Sequence, residues 1–433
     1  MDTIIKNGHI ISPSQGIDAK GSIYIKDGII KDIFSLDGES NAKESVQTSD
    51  VKIIEAEGLY VFAGFVDMHV HLREPGFEYK ETIRTGTLAG VKGGFTTLCC
   101  MPNTNPVNDN ETVTDFIIKK AQLEGFCDVF PIGAITKKQQ GKELAEFGMM
   151  SEAGSVAFSD DGKPVMDSFI MRMALEYAKV FNAPVISHAE DANLAGKGVM
   201  NESPLSTSLG LQGIPSEAEV ILIKRDIELA ALTGGRLHIA HVSTKGGVDA
   251  IREAKRAGIN ITAETCPHYF TITEDKVRGY NTNAKVNPPL RTQKDVEAIK
   301  EGLNDDTIDV LVTDHAPHHR DDKLCEFDKA AFGISGLETA LGLNLKLVEE
   351  GVLSLNRVIE KMTVAPSKIL NISKGTLING RSADIVIVDL NKEYTVDAKN
   401  FVSMGKNTPF DDWHLKGAAV MTFFKGKKVY DAT

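Results

Sequence analysis

The segment Gly64–Gly76, GFVDMHVHLREPG, joins an apolar strand pattern directly to two histidines and an arginine. Positions i and i+2 of a β-strand point to the same face, so His69 and His71 would project together while Val70 points away. Two imidazoles on one face can bind a metal ion. An isolated His-x-His pair is equally compatible with two structural histidines, so the rest of the chain has to decide between these interpretations.

The same combination, an apolar strand that ends in polar residues, recurs along the middle of the chain. Eight strands are predicted, at 65–71, 95–101, 128–134, 155–159, 184–188, 237–242, 259–263 and 308–314. Amphipathic segments lie between them, and several end in glycine, as helices commonly do. Eight apolar strands alternating with helices over about 250 residues favour an α/β fold, a (β/α)8 TIM barrel. An open doubly wound sheet is the alternative, but no G-x-G-x-x-G follows the first strand.

Both ends of the chain differ from the middle. Residues 1–62 and the stretch from 375 onward show alternating β-branched residues interrupted by Asn-Gly, Asp-Gly and similar turns, without a long helical pattern. We therefore predict that 63–363 forms the barrel domain. The two flanking parts, 1–62 and 364–433, are predicted to build one small β-sandwich from both termini.

Composition excludes several classes of function. The 433 residues include 48 Lys and Arg against 60 Asp and Glu, a formal net charge of −12. This balance disfavours binding to nucleic acid or to an anionic membrane surface. A signal-peptide pattern is not apparent, and no apolar run approaches the ~20 residues that cross a bilayer. The five cysteines are scattered without C-x-x-C, which indicates reduced thiols and a cytoplasmic protein.

Polar residues gather at the predicted carboxyl ends of the strands, where (β/α)8 barrels carry their active sites. In strand order, these residues are His69, His71, Asp160, Asp161, His188, His241 and Asp314. Each alone has an ordinary explanation, either a structural histidine or an Asp-Gly turn. Together, four imidazoles and at least two carboxylates at one rim form a ligand set that suits zinc or a similar divalent ion.

At this point the sequence resembles a known family. Nine motifs between residues 60 and 390 resemble, in the same order, those of the class I dihydroorotases of pyrimidine biosynthesis: DMHVHLREPG, MPNTNP, SDDG, SHAED, AHVST, ETCPHYF, NPPLR, TDHAPH and FGISGLETA. These enzymes belong to the amidohydrolase superfamily. The resemblance implies a barrel with a flanking β-sandwich. It also implies zinc-dependent, reversible hydrolysis of (S)-dihydroorotate to N-carbamoyl-L-aspartate.

The resemblance further implies ligands for two zinc ions. The ligands are four histidines and two carboxylates: His69, His71, His188, His241, Asp161 and Asp314. The first two histidines would bind one ion and the other two the second, with Asp161 as the bridge where many relatives have a carboxylated lysine. Asp160 is the neighbour that could exchange roles with Asp161, and the family motif favours Asp161. Asp314 would also be catalytic, carrying a proton from the attacking water to the leaving ring nitrogen.

Arg73, two residues past His71, is expected to bind the carboxylate of the substrate, because its guanidinium can hold a carboxylate bidentately. Taken alone, Arg73 fits a surface ion pair with Glu74 or Glu78 equally well. The resemblance adds further substrate contacts from Asn103 and His318 to the carboxylate, from Asn287 to the amide edge of the ring, and from the backbone of Phe332 and Gly333. The long polar loop 316–333 carries some of these groups and is predicted to act as a mobile lid.

Two alternative functions remain. Another cyclic amidohydrolase, such as an allantoinase or a dihydropyrimidinase, is disfavoured by Arg73 and by the lack of lysine at the bridging position. A non-catalytic partner of aspartate transcarbamoylase is disfavoured because every expected ligand is present. The resemblance also predicts a homodimer and allows an association with aspartate transcarbamoylase.

Overall fold

The computed structural model describes residues 2–35 and 51–432, so part of the predicted N-terminal portion, 36–50, lies outside the described residues. The strands are β1 (Asp2–Ser12), β2 (Ile17–Lys26), β3 (Ile29–Ser35), β4 (Val51–Glu55), β5 (Tyr60–Ala63), β6 (Phe65–Val70), β7 (Phe95–Cys100), β8 (Asp128–Pro131), β9 (Phe158–Ser159), β10 (Val185–Ser187), β11 (Met200–Asn201), β12 (Gly213–Ile214), β13 (Leu237–Ile239), β14 (Ile261–Thr265), β15 (Val310–Leu311), β16 (Ile385–Thr395), β17 (His414–Phe424) and β18 (Lys427–Asp431).

The α-helices are Ile83–Lys92, Glu111–Glu124, Phe147–Ala153, Ser168–Ala178, Ala192–Ala195, Pro204–Leu209, Ser216–Thr233, Lys245–Arg256, Pro267–Thr271, Gln293–Asn304, Arg320–Lys323, Ala340–Glu349, Leu355–Met362 and Val364–Leu370. Within the described ranges, none of them has the length and apolar character needed to cross a bilayer.

Helix Glu111–Glu124 illustrates how the sequence specifies the layer around the strands. Asn110 accepts hydrogen bonds from two backbone N–H groups of the first turn, which would otherwise be unsatisfied. Val113, Ile117 and Ala121 recur every four residues and form a buried stripe on one side of the helix. The other side faces outward and combines polar residues with the exposed apolar side chains of Phe116 and Leu123.

One mixed sheet contains strands from both ends of the described chain. Its order is β18-β17-β16-β5-β1-β2-β3, and β4 pairs with β1. The N-terminal strand β5 is parallel to β1 on one side and antiparallel to β16 on the other. Burial alternates along β1, as expected for a strand with one face on a core. The two ends of the chain therefore share one hydrogen-bonded sheet and one hydrophobic cluster.

All eight strands predicted for the middle region are present and parallel. They form two sheets, β6-β7-β8 and β9-β10-β13-β14-β15. Single parallel bridges, Val70 with His315 and Gly133 with Phe158, connect the two sheets at both of their edges. One hydrophobic cluster takes a side chain from each strand or the residue next to it: Met68, Cys99, Ile132, Ala157, Ile186, Ala240, Cys266 and Val310. Seven of the strands are shorter than predicted, because the hydrogen-bonded ladders cover only part of each apolar run.

Four helices follow β15 before the chain returns to the mixed sheet. The last of them, Val364–Leu370, places Ile369 and Leu370 in the cluster formed by the parallel strands. The predicted boundary at 363/364 thus falls immediately before a helix that packs on those strands. The division into 1–62, 63–363 and 364–433 stays a prediction.

Candidate metal centre

The polar residues at the strand ends meet in one cavity of about 190 Å³. Every site residue predicted from the sequence lines this cavity, with the exception of His69 and of Asp160, the alternative to Asp161. His69 is fully buried, and its Nε2 lies 3.5 Å from two of the lining carboxylates, those of Asp161 and Asp314. Side chains from strands far apart in sequence are therefore brought together at one site.

Asp161 lies at the centre of the histidines. Its carboxylate oxygens are 3.5 Å from His69 Nε2, His71 Nε2 and His188 Nδ1, and 3.3 Å from His241 Nε2. Burial alone would raise the pKa of Asp161, but the surrounding imidazoles hold it well below its usual range. Asp161 is therefore a carboxylate within reach of all four histidines.

Asp160 points elsewhere. It accepts hydrogen bonds from the backbone N–H groups of Ile135 at 2.8 Å and Thr136 at 3.0 Å, and from the Thr136 hydroxyl. Its carboxylate is therefore occupied in fixing the neighbouring turn. Of the two adjacent aspartates, the structure places Asp161 among the histidines.

His69 and His71 project to the same side, as the alternation of the strand predicts, with ring centroids 5.5 Å apart. Asp314 approaches both, with its Oδ1 at 3.0 Å from His71 Nε2 and 3.5 Å from His69 Nε2. Burial opposes ionisation of Asp314, but the hydrogen bond with His71 and the charge of His69 lower its pKa. Asp314 is therefore a carboxylate at neutral pH.

His188 Nδ1 and His241 Nε2 lie 2.8 Å apart, on the other side of Asp161. Two imidazole nitrogens at this distance repel each other unless a proton or a cation lies between them. Two groups of three residues also have their possible metal-binding atoms within 4.8 Å of one another. These groups are His69–His71–Asp314 and His69–Asp161–His241. Buried nitrogen and oxygen donors in this arrangement fit divalent metal ions such as zinc.

The far nitrogens of the first two histidines are held by hydrogen bonds. His71 Nδ1–H donates to Asn103 Oδ1 at 2.9 Å, and His69 Nδ1–H donates to Glu264 Oε1 at 2.5 Å. Both rings therefore direct Nε2 towards the carboxylates. Sequence reasoning missed Glu264, although an acidic residue inside the otherwise apolar strand Ile261–Thr265 was an available signal.

Arg73 lines the same cavity as the histidines and their carboxylates. Its Nε donates to Pro317 O at 3.2 Å, and no carboxylate of the described chain lies within 4.0 Å of its guanidinium. Glu74 and Glu78 accept backbone N–H groups instead, so the surface ion pair considered from the sequence does not form. Burial lowers the pKa of Arg73 to about 10, which leaves it charged at neutral pH. A cation in this position is suited to an anionic ligand.

His318 stands beside Arg73, with its Nε2 at 3.3 Å from Arg73 Nη2. Its Nε2–H donates to Phe332 O at 2.8 Å, and its Nδ1 accepts from Lys80 Nζ at 3.3 Å. Burial and the nearby Arg73 and Lys80 cations lower the pKa of His318 to about 2, so the ring is neutral. Lys80 was not identified from the sequence, because a lysine 238 residues away carries no local signal of this contact.

The remaining predicted substrate contacts also border the cavity. The side-chain oxygen of Asn287 is buried and has no hydrogen-bond partner among the described residues. Gly333 N–H already donates to Lys285 O at 3.0 Å. Both predicted backbone contacts are thus partly engaged within the chain, since Phe332 O also accepts from His318.

Loop 316–333 is tied to the rest of the molecule by a buried lysine. Lys323, within the short helix Arg320–Lys323, donates from Nζ to the carbonyls of Thr282, Lys285 and Ala331 at 3.0, 3.1 and 2.7 Å. Burial and the nearby Lys285 lower the pKa of Lys323 to about 7. The segment predicted to act as a mobile lid is therefore anchored at its centre in this structure.

The chain is similar to known proteins along its whole length. A family model described as Dihydro-orotase-like matches residues 58–247. The dihydroorotase of Geobacter metallireducens is 53% identical over 430 residues, covering 99% of this chain and 100% of its own. That of Syntrophus aciditrophicus is 51% identical over 430 residues, covering 99% of each chain. Among solved structures, the L-hydantoinase (dihydropyrimidinase) from Arthrobacter aurescens has a TM-score of 0.87 at 29% identity, covering 100% of this chain and 96% of its own.

Proposed function

Because the chain belongs to the dihydroorotase family, we propose that this site catalyses the zinc-dependent, reversible hydrolysis of (S)-dihydroorotate to N-carbamoyl-L-aspartate in pyrimidine biosynthesis. The chain is a hydrolase acting on cyclic amides. The observation that carries the choice of substrate is Arg73, a charged guanidinium beside the histidine cluster with no carboxylate partner in the described chain. Dihydroorotate has both a cyclic amide and a carboxylate group, and that carboxylate would be the partner of Arg73.

The proposed architecture is a closed (β/α)8 barrel with a β-sandwich built from both termini. The two bridges at the sheet edges and the cluster shared by all eight strands support closure. A site at the carboxyl ends of the strands is the usual position in such barrels. The proposed domains keep the bounds predicted from the sequence, with the barrel at 63–363 and the β-sandwich at 1–62 and 364–433.

The proposed metal ligands are the six residues named from the sequence. His69 and His71 would hold one zinc ion with Asp314, and His188 and His241 the second, with Asp161 between them. Zinc at these positions would lower the pKa of water and polarise the ring carbonyl. The distances from Asp161 to all four histidines support its bridging position. An aspartate there, rather than a carboxylated lysine, also supports assignment to class I.

Asp314 is the proposed proton carrier. It begins as a carboxylate, in agreement with its lowered pKa, and accepts the proton of the attacking water. It then delivers that proton to the departing ring nitrogen. The same carboxyl group works in reverse when N-carbamoyl-L-aspartate is cyclised.

Arg73, Asn103 and His318 are proposed to bind the substrate carboxylate. Asn103 Oδ1 already accepts from His71, so its NH2 group is the part left for the substrate. His318 is neutral and offers Nε2–H, which now donates to Phe332 O. The unpartnered oxygen of Asn287 suits a ring N–H donor.

A comparison of substrates tests this function. We expect zinc-loaded protein to turn over L-dihydroorotate but not allantoin, dihydrouracil or hydantoin, because those rings leave Arg73 without a carboxylate. Rates are measured by separating ring and open-chain products. Turnover of a neutral ring alone would overturn the assignment. Absence of both turnover and bound zinc would instead support the non-catalytic alternative.

The oligomeric state and the cellular location are proposed from membership of the family alone. We propose a cytoplasmic homodimer that can associate with aspartate transcarbamoylase. Light scattering of the purified protein, with and without aspartate transcarbamoylase, checks both forms of association.

The anchor of loop 316–333 gives a further prediction. We expect Lys323→Met to raise KM for dihydroorotate about tenfold while kcat changes less, because three carbonyls lose their donor at about 1–3 kcal/mol each. The loosened loop carries His318 and Phe332, which face the substrate rather than the proposed metals. Steady-state kinetics and zinc content measure the two effects.

Lys329→Met is the matched control for this loop. Lys329 is an exposed lysine whose side chain pairs with exposed Glu326. Its substitution should leave KM unchanged. Equal KM values for both variants and the wild type would contradict the anchoring role of Lys323.

A further inference from the structure

Glu264 lies outside the proposed ligand set, yet it contacts both halves of that set. We propose that Glu264 is a positioning residue that orients His69 and His241 for metal binding and so couples the two metal positions. The inference rests on the proposed function only in taking these two histidines as metal ligands.

Glu264 is fully buried in β14 and accepts three hydrogen bonds. Its Oε1 accepts from His69 Nδ1–H at 2.5 Å and from the backbone N–H of His241 at 3.3 Å. Its Oε2 accepts from His238 Nε2–H at 3.1 Å. One carboxylate of β14 therefore connects β6 with β13 and the residue His241 that follows β13.

The contact with His69 determines which ring nitrogen can bind a metal. Since a carboxylate can only accept, the neutral ring of His69 that binds a metal carries its proton on Nδ1 and its lone pair on Nε2. His69 Nε2 is buried, has no hydrogen-bond partner in the described chain and lies 3.5 Å from Asp161 and Asp314. A carboxylate on the far nitrogen fixes the ring and makes it a stronger ligand.

The contact with His241 acts on the backbone. His241 has φ of 34°, in the left-handed region that a residue with a side chain rarely adopts. Such a conformation persists only where the surroundings impose it, and the hydrogen bond from His241 N–H to Glu264 is one such restraint. The same oxygen thus holds one histidine proposed for each metal.

His238 fixes the second oxygen of the Glu264 carboxylate. It is fully buried, and because its Nε2–H donates to Glu264, its Nδ1 accepts from the Thr262 hydroxyl at 2.8 Å. This chain of hydrogen bonds leaves Glu264 in one orientation. His238 does not line the cavity, so its effect on metal binding would pass through Glu264.

Glu264→Gln tests the inference through zinc affinity, which does not depend on the substrate. We expect zinc dissociation constants, measured by chelator competition, to rise about 10- to 100-fold. Both metals should weaken, because Glu264 contacts a histidine of each pair. With cobalt in place of zinc, the visible absorption bands should also change, since they report the orientation of the ligands.

Glu219→Gln is the matched control. Glu219 is equally buried but accepts from Ser243 and Thr244 and contacts no proposed ligand. Its substitution should leave zinc affinity unchanged. His238→Asn is a second variant, expected to weaken zinc in the same direction by less than Glu264→Gln, and thermal unfolding of the metal-free proteins shows whether each variant folds.

The outcomes separate this inference from the proposed function. Wild-type zinc affinity in folded Glu264→Gln overturns the role of Glu264, whatever the enzyme hydrolyses. Loss of only one metal overturns the coupling. If Glu264→Gln does not fold, unchanged zinc affinity and cobalt spectrum in folded His238→Asn overturn the role. A wild-type protein inactive on dihydroorotate would refute the function and leave the zinc comparison intact.

Discussion

Asp314→Asn is expected to lower kcat for dihydroorotate by about 10²- to 10⁴-fold, the range for loss of a general acid–base group. Asparagine preserves the shape of the side chain and an oxygen near His71, but it cannot take up and return a proton. Zinc content should therefore remain close to that of the wild type. Initial rates in both directions of the reaction, together with metal analysis, measure the two quantities.

The control for this substitution is Asp321→Asn, which removes a highly exposed carboxylate from the loop at the same rim. It should retain wild-type kcat, because Asp321 does not line the cavity. If Asp314→Asn kept more than a tenth of the wild-type kcat with zinc bound, Asp314 would not be the proton carrier.

The second large effect is expected for Arg73→Met. Loss of one partner from a desolvated, hydrogen-bonded charge pair costs about 2–5 kcal/mol, which corresponds to about 30- to 5,000-fold in KM. Zinc content should not change, because Arg73 contacts Pro317 and His318 rather than the proposed ligands. Methionine also keeps a side chain at the positive φ of Arg73, 64°, so the substitution adds little backbone strain.

Arg73→Lys separates charge from geometry. Lysine keeps the positive charge but loses the planar pair of donors that binds a carboxylate bidentately. We expect an intermediate KM for this variant. A KM close to that of the wild type in Arg73→Met would show that the substrate carboxylate is bound elsewhere.

Where a local sequence pattern placed the predicted site residues, the structure brings those residues together. His69 and His71 follow from strand alternation, and the contact of both with Asp314 follows from their positions at neighbouring strand ends. The preference for Asp161 over Asp160 came from the family motif rather than from such a pattern. Its structural reason is that Asp160 is bound by the turn at 135–136, a contact between separate βα units.

Contacts over long sequence separations account for what was missed. Glu264 is 195 residues from His69, and Lys80 is 238 residues from His318. The length and polar character of loop 316–333 predicted mobility. Lys323 instead is buried and donates to three carbonyls, which only the folded chain brings within reach.

The mixed sheet built from both termini has a consequence for biosynthesis. A ribosome releases β5 long before it has made β16, the strand that pairs with β5 in the finished molecule. Until translation passes residue 395, that side of β5 is an open edge, and open edges invite pairing with other nascent chains. Premature stop codons close to the 3′ end of the reading frame should thus yield aggregating products, even though they leave every catalytic codon intact.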